Sequence, residues 1–168
     1  MKKLGVLFVC SGNICRSPLA EELLRRELDA RGIGDQFFVD SAGTDPDHIG
    51  QQSDSRMRET ARHRGVTVNH RARRLRREDL ERFDLLIGMD EWHMRAIHGL
   101  ERQTGTDAEI RKMLEFDPDY DGGQAPDVPD PWYGSMQGFE RVYDMIEISC
   151  AGLANQLADR VSSSVADE

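Results

Sequence analysis

No apolar run in this chain approaches the ~20 residues that a membrane-spanning helix needs, so membrane insertion is not expected. The most continuous run, residues 4–9, follows two lysines but turns polar by Ser11, too early for a secretory leader. Cysteine is scarce, with three in 168 residues. That number excludes a disulfide framework, and a nucleophilic thiol fits a reducing, cytoplasmic compartment. Basic residues are the minority: 22 Lys and Arg face 31 Asp and Glu, for a formal net charge of −9. Such a balance argues against nucleic acid as a partner, and it obliges any anionic substrate to be drawn by local positive potential. Internal repeats and low-complexity blocks are also missing. What remains is the composition of a water-soluble globular chain, 38% hydrophobic and 32% charged. The length suits one domain with a filled core, expected over residues 1–160, with 161–168 as a flexible tail.

Within those bounds the elements alternate. Residues 4–9 read as a parallel strand buried on both faces. Pro18 opens a helix with Ser17 as its cap; Leu19, Leu23, Leu24 and Leu28 recur at helical spacing until Gly32 stops it. Residues 37–39 form a second short strand, and Ser53 caps a helix that ends at Gly65. Residues 66–68 are short and β-branched, residues 83–89 a third buried strand, and residues 91–97 a helix. Residues 111–116 form a fourth strand, residues 117–134 a loop rich in Asp, Pro and Gly, and residues 139–158 a last helix. This pattern predicts an α/β fold: an open four-stranded parallel sheet with helices on both faces, Rossmann-like or flavodoxin-like. In such a sheet a ligand sits at the carboxyl ends of the strands, where Cys10, Ser41 and Asp90 all fall.

The chemistry concentrates just after the first strand, in Cys10-Ser11-Gly12-Asn13-Ile14-Cys15-Arg16-Ser17-Pro18. A cysteine at a strand end is usually a small buried hydrophobe. This one is followed by a tight loop, closed by an arginine and running into a helix. Backbone N–H groups of such a turn converge into an anion nest at a positive helix end. That field favours the thiolate form of a cysteine, which is its nucleophilic form. Arg16 adds a planar fork that can hold two phosphate oxygens.

Cys-x5-Arg by itself is shared by unrelated phosphatases and sulfur-transfer enzymes. The longer string from Val9 to Pro18, followed by Ala20-Glu21, closely resembles the low-molecular-weight protein tyrosine phosphatases. The resemblance continues in Asp40-Ser41-Ala42-Gly43-Thr44, His70-Arg71-Ala72-Arg73 and Asp130-Pro131-Trp132-Tyr133, in order and across nearly the whole chain. It implies the phosphotyrosine phosphatase I-like fold and hydrolysis through a cysteinyl-phosphate. Cys10 would be the nucleophile, Arg16 and the loop amides the phosphate clamp, and Asp130 the general acid and then base. Residues 11–15 (Ser11, Gly12, Asn13, Ile14, Cys15) would line the substrate, with Ser17 bonded to the nucleophile. Asn13 would also brace the loop as a pair with Ser41, with His70 in the same supporting network, and Trp132 and Tyr133 would wall the cleft. Two wall positions depart from the common pattern: Ser11 replaces a larger apolar residue, and Asp47, just before His48, replaces an aromatic. Cys15 is either a packed loop residue or the partner of a reversible disulfide with Cys10, a device of the family; Cys150 reads as core.

The implied substrate is a tyrosine-phosphorylated protein. An autophosphorylated kinase is one such protein that the resemblance to bacterial members implies, with the enzyme a monomer or weak homodimer. Ile14 separates the chain from the arginine phosphatases of the same family, which resemble it but carry Thr there. Thioredoxin-coupled arsenate reductases share the fold and opening motif but need further cysteines near residues 80–90, where this chain has none. A catalytically dead phosphotyrosine-binding protein would not need Cys10, Arg16 and Asp130 together. No metal or cofactor is implied, because Arg16 and the nest supply the positive charge. Asp117, Asp119 and Asp121 imitate a calcium loop, but Val128 stands at the position of its bidentate Glu. The run Arg71, Arg73, Arg74, Arg76, Arg77 is the one basic cluster; such runs are usually solvated faces, although this one could attract an acidic phosphoprotein or polyphosphate.

Overall fold

In the computed structural model, which describes residues 2–167, four parallel strands form one open sheet in the order β2-β1-β3-β4. The strands are β1 (Leu4–Cys10), β2 (Phe37–Gly43), β3 (Leu85–Gly88) and β4 (Glu109–Lys112). The helices are α1 (Arg16–Ala30), α2 (Ser55–His63), α3 (Asp79–Arg82), α4 (Glu91–Thr104) and α5 (Met136–Ala166). The α/β architecture expected from the alternating pattern is therefore present.

Strand β1 lies at the centre, and its side chains serve two cores by turns. Val6 and Phe8 enter one core with Leu19 and Leu24 of α1 and Phe139, Ile146 and Leu153 of α5. Leu7 and Val9 enter the opposite core with Leu80, Phe83 and Ile97. All four strand residues are fully buried, which is why the run carries no polar alternation. Each contributes on the order of 1.5–3 kcal/mol by leaving water, so this strand fixes the position of Cys10 at its end. Gly32 (φ 71°) and Gly65 (φ 77°) leave their helices in the left-handed region, as their sequence positions suggested.

Several boundaries differ from the expectation. Helix α1 begins at Arg16, with Cys15 in the cap position and no side-chain cap. Ser17 is thus inside the helix, and its hydroxyl is used elsewhere. Asp54 rather than Ser53 caps α2, its side chain accepting from the Arg56 amide at 2.8 Å. Residues 66–68 join no ladder, although Val66 and Val68 are buried in the first core. Strand β4 ends at Lys112, and Met113–Phe116 turns as a 3-10 helix that sinks Met113, Leu114 and Phe116 beneath α5. Their apolar character marked packing, not pairing. Helix α4 continues past residue 97 to Thr104, with Leu100 packed on the second core. Helix α5 absorbs most of the expected tail: Val161 packs on the core, and the Ser163 and Ser164 hydroxyls bond to carbonyls one turn back. Of that tail, Glu168 lies outside the described residues. No helix among the described residues is long and apolar enough to cross a membrane.

Candidate active site

Strand β1 pairs with β2 on one side and β3 on the other, so the connections leaving their carboxyl ends diverge and open a crevice. Cys10 lies at its base, 2% exposed. The loop from Ser11 to Cys15 turns tightly because Asn13 adopts φ 58°, a conformation that asparagine tolerates better than most residues. Gly43 lets β2 press against it: a Cβ there would lie 2.5 Å from the Ser11 carbonyl oxygen. The Thr44 and Asp45 amides close the contact by donating to the Cys10 and Ser11 carbonyls at 2.9 Å. Among the described residues, the amides of Gly12, Asn13, Ile14 and Cys15 donate to no protein acceptor. Free N–H groups in such a turn, beside the start of α1, make the nest that the sequence predicted.

A directional hydrogen-bond chain braces this loop. Asn13 Oδ1 accepts from the Arg73 amide (3.0 Å) and meets His70 Nε2 at 2.7 Å, which fixes the orientation of its amide. Asn13 Nδ2 therefore donates to both the Ser17 hydroxyl (2.8 Å) and the Ser41 hydroxyl (2.9 Å). With its oxygen already accepting, Ser17 has its own proton for Cys10 Sγ, 2.9 Å away. A donor aimed at the sulfur suits the thiolate. Ser41 likewise passes its proton to Glu21 Oε1 at 2.8 Å. The residues expected to brace the loop, Asn13, Ser41 and His70, thus meet in one network, with Ser17 as its link to sulfur.

Glu21 ends that chain and was quoted in the sequence only as part of a motif. Burial pushes its carboxyl up to about 7 against the opposing pull of Arg25 and Ser41. Burial also holds the His70 imidazole below its usual value. A group raised in the folded state contributes stability that is complete below its unfolded value, near 4.5, and is lost as pH rises through about 7. His70 and His93, both lowered, run in the opposite sense below their ordinary value of about 6.5. Comparing variant with parent removes the His93 contribution, and that of His70, whose Nδ1 lies 3.3 Å from Glu21 Oε1, is confined to pH below about 6.5. Glu21→Gln, uncharged and of the same shape, should therefore gain thermal midpoint over the parent from pH 5 to about pH 7 and level off by pH 8. The gain is on the order of 2–4 °C for each kcal/mol recovered. A difference independent of pH in calorimetry would refute the shift.

Arg16 is buried, and its NH1 is committed to Asp90 Oδ2 (2.8 Å) and the Val128 carbonyl (2.9 Å). NH2 lies 3.7 Å from Asp130 Oδ2, facing the cleft. Burial works against the guanidinium charge, but Cys10, Asp90 and Asp130 outweigh it and hold the group above its ordinary value. Asp130 uses its two oxygens differently. Oδ1 accepts from the Trp132 amide at 3.0 Å and caps the Pro131–Tyr133 turn, while Oδ2 is the oxygen near Arg16. One oxygen of the carboxylate is thus spent on the turn, while the other faces the cleft beside Arg16.

The cleft, of about 140 Å³, is lined by Cys10, Ser11, Gly12, Ile14, Cys15, Arg16, Asp45, Asp47, His48, Asp130, Trp132 and Tyr133. Asn13 and Ser17 do not line it; they act from beneath. Beside Asp47, the His48 ring meets Trp132 at 5.5 Å between centroids. Arg56 holds Trp132 from another side, with its guanidinium 5.2 Å from the ring centroid and a bond to the Trp132 carbonyl. Tyr133 is 90% exposed and stands free at the rim. Cys15 is buried, which pushes its thiol up, as do the charges of Asp54 and Cys10. It is a free thiol here, as is Cys150 in the core.

Two site residues carried no role in the sequence reading. Asp90, noted only for its place at a strand end, caps α4 and holds Arg16. Burial opposes its charge, but His93 and Arg16 hold its carboxyl below the ordinary range. His93 is wholly buried, and burial aided by Arg16 pushes it down to about 4. Its Nδ1 accepts from the Asp90 amide (3.2 Å), so Nε2 carries the proton and donates to the Ser11 hydroxyl at 2.8 Å. The polar Ser11 thus has a buried partner that a larger apolar side chain would not need. The signal was the spacing Asp90-x-x-His93 at a helix start, a capping-box pattern with an imidazole in place of Glu.

Comparison with known proteins agrees with this fold. The family model described as low molecular weight phosphotyrosine protein phosphatase matches residues 5–163. Among curated relatives, the low molecular weight protein-tyrosine phosphatase A of Mycobacterium tuberculosis is 41% identical over 160 residues, covering 95% of this chain and 94% of that protein. A crystal structure of a protein tyrosine phosphatase from Entamoeba histolytica superposes with a TM-score of 0.83 at 35% identity, covering 94% of this chain and 98% of that one. A Drosophila arginine phosphatase gives a TM-score of 0.83 at 27% identity, over 94% of this chain and 98% of its own.

Proposed function

Because the chain belongs to the low molecular weight phosphotyrosine protein phosphatase family, we propose that it hydrolyses phosphotyrosine in proteins through a phosphocysteine at Cys10. The observation that carries this reading is a buried thiol beneath a mixed wall, with Ile14, Trp132 and Tyr133 beside the polar Asp45, Asp47, His48 and Asp130. Cys10 lies at the base, so a phosphoryl group must arrive on a long, narrow arm. A phenyl ring supplies that reach; a seryl side chain is too short. Cys10 Sγ attacks phosphorus, and the bond to the phenolic oxygen breaks as Asp130 gives that oxygen a proton. Water then attacks the phosphocysteine, yields its proton to Asp130, and releases inorganic phosphate and the thiolate. The free loop amides and Arg16 hold the equatorial oxygens through both steps, where charge stabilisation is most effective.

Arginine phosphatases among the structural neighbours make phosphoarginine the second reading, since a guanidine arm is also long. Ile14 weighs against it: the side chain is apolar, buried and in the cleft wall, where it suits a ring better than a charged guanidinium. The expected result is turnover of phosphotyrosine peptides at least about tenfold faster than matched phosphoarginine or phosphoserine peptides, a difference of about 1.4 kcal/mol. Release of phosphate from each peptide measures it. Equal or better turnover of phosphoarginine would transfer the assignment.

A further inference from the structure

We propose that the arginine run 71–77 is a docking stripe for an acidic segment of the phosphoprotein substrate, lying beside the cleft and distinct from the residues that hold phosphate. The proposal rests on the phosphotyrosine reading above and adds a recognition element to it. Alternation in the sequence sets the stripe: Ala72 and Leu75 are buried, while Arg71, Arg74, Arg76 and Arg77 are exposed. Arg73 is different. Its guanidinium is held by Asp40 (3.0 Å) and Asp79 (3.0 Å), and it pins the segment.

The segment is docked on the active-site framework rather than floating. Gly43 donates to the Arg73 carbonyl at 2.9 Å and accepts from the Leu75 amide at 2.7 Å. The Arg73 amide reaches Asn13 within the loop, and Ala72 bonds both ways with the segment that follows Asp47 and His48 of the cleft wall. Asp79 accepts from the Arg76 amide at 2.8 Å. The backbone is therefore ordered before any ligand arrives, so binding here carries a small ordering cost.

Charge points to the partner. Among the described residues, Arg71, Arg74, Arg76 and Arg77 form no ion pair, although acidic residues outnumber basic ones by 31 to 22. A net charge of −9 repels an acidic phosphoprotein at long range. Asp45 and Asp47 at the cleft rim oppose acidic residues immediately beside the phosphotyrosine. A carboxylate-rich segment a few residues away meets the opposite field on the stripe, where several guanidinium groups present charge on a fixed backbone.

The test uses phosphotyrosine peptides with Asp and Glu at four to eight positions from the phosphotyrosine, on either side, against matched Gln and Asn peptides. An extended chain rises about 3.3 Å per residue, so these positions cover roughly 13–26 Å. The acidic peptides should show kcat/KM about tenfold higher at low salt, and the advantage should vanish at high salt. The triple variant Arg74→Glu/Arg76→Glu/Arg77→Glu should lose it too, and the corresponding Lys triple should keep most of it. Turnover of p-nitrophenyl phosphate and of the neutral peptide should be unchanged in both variants. Equal kcat/KM for acidic and neutral peptides would overturn the proposal, as would a loss in the Glu triple that is the same for every substrate. Tight binding of inorganic polyphosphate without discrimination between peptides would assign the stripe to polyphosphate instead. If no phosphotyrosine peptide is turned over, the catalytic reading fails by itself. The stripe is then judged by fluorescence-polarisation binding of the unphosphorylated acidic peptide, which should still be lost in the Glu triple.

Discussion

Cys10→Ser is expected to lower hydrolysis of p-nitrophenyl phosphate and of phosphotyrosine peptides by about 10⁴-fold or more, while oxyanion binding survives. A serine hydroxyl attacks phosphorus only if a base removes its proton, and the brace makes the nearest neighbour a donor. Ser17 already accepts from Asn13 Nδ2, so the hydroxyl aimed at residue 10 presents hydrogen, not a lone pair. That arrangement serves a thiolate and fails an alcohol. The clamp does not depend on sulfur: the loop amides and Arg16, held by Asp90 and the Val128 carbonyl, keep their positions. Phosphate or arsenate should therefore bind the variant about as well as the parent in calorimetric titration. Hydrolysis persisting within tenfold of the parent would exclude the phosphocysteine.

The stretch proposed to be catalytic was legible in the sequence because its chemistry is local. Strand, loop and helix start are contiguous, so Cys10, the nest and Arg16 are legible from spacing alone. The same holds for the central sheet, where a strand buried on both faces leaves an unbroken apolar run. Bracing residues were another matter. Asn13, Ser41 and His70 are ordinary turn and strand residues by local pattern, and only resemblance to a family set them apart. Their connection through Glu21 depends on contacts between residues as far apart as 13 and 70. His93 was missed for a related reason. A histidine in the first turn of a helix looks like a surface residue, and its burial follows from how α4 seats against the end of β3. Boundaries slipped where apolar residues served the core without pairing, as at Met113 to Phe116, or where a polar segment continued a helix, as in α5.

Asp130→Asn should lower kcat/KM for phosphotyrosine peptides by about 10²–10⁴-fold, the usual worth of general acid catalysis, and lower it much less for p-nitrophenyl phosphate. The two leaving groups differ in their need for a proton. Tyrosine phenolate is the base of an acid with pKa about 10, whereas nitrophenolate is a far more stable anion and departs with little help. The comparison must be made in kcat/KM, which reports only the steps through formation of the phosphocysteine. In kcat both substrates would converge on its hydrolysis, where Asp130 acts again as the base toward water. Asparagine is the informative substitution because Asp130 Oδ1 accepts from the Trp132 amide, and an amide oxygen can retain that bond. Alanine removes the cap as well as the proton, at about 1 kcal/mol for the cap, and frees the turn that carries Trp132 and Tyr133 into the cleft wall. A larger loss in Asp130→Ala than in Asp130→Asn, for both substrates alike, therefore measures what the turn contributes. The part of the loss that separates the two substrates measures the proton. If kcat/KM falls by the same factor for both substrates in Asp130→Asn, the carboxyl is positioning the wall and another group protonates the phenolate.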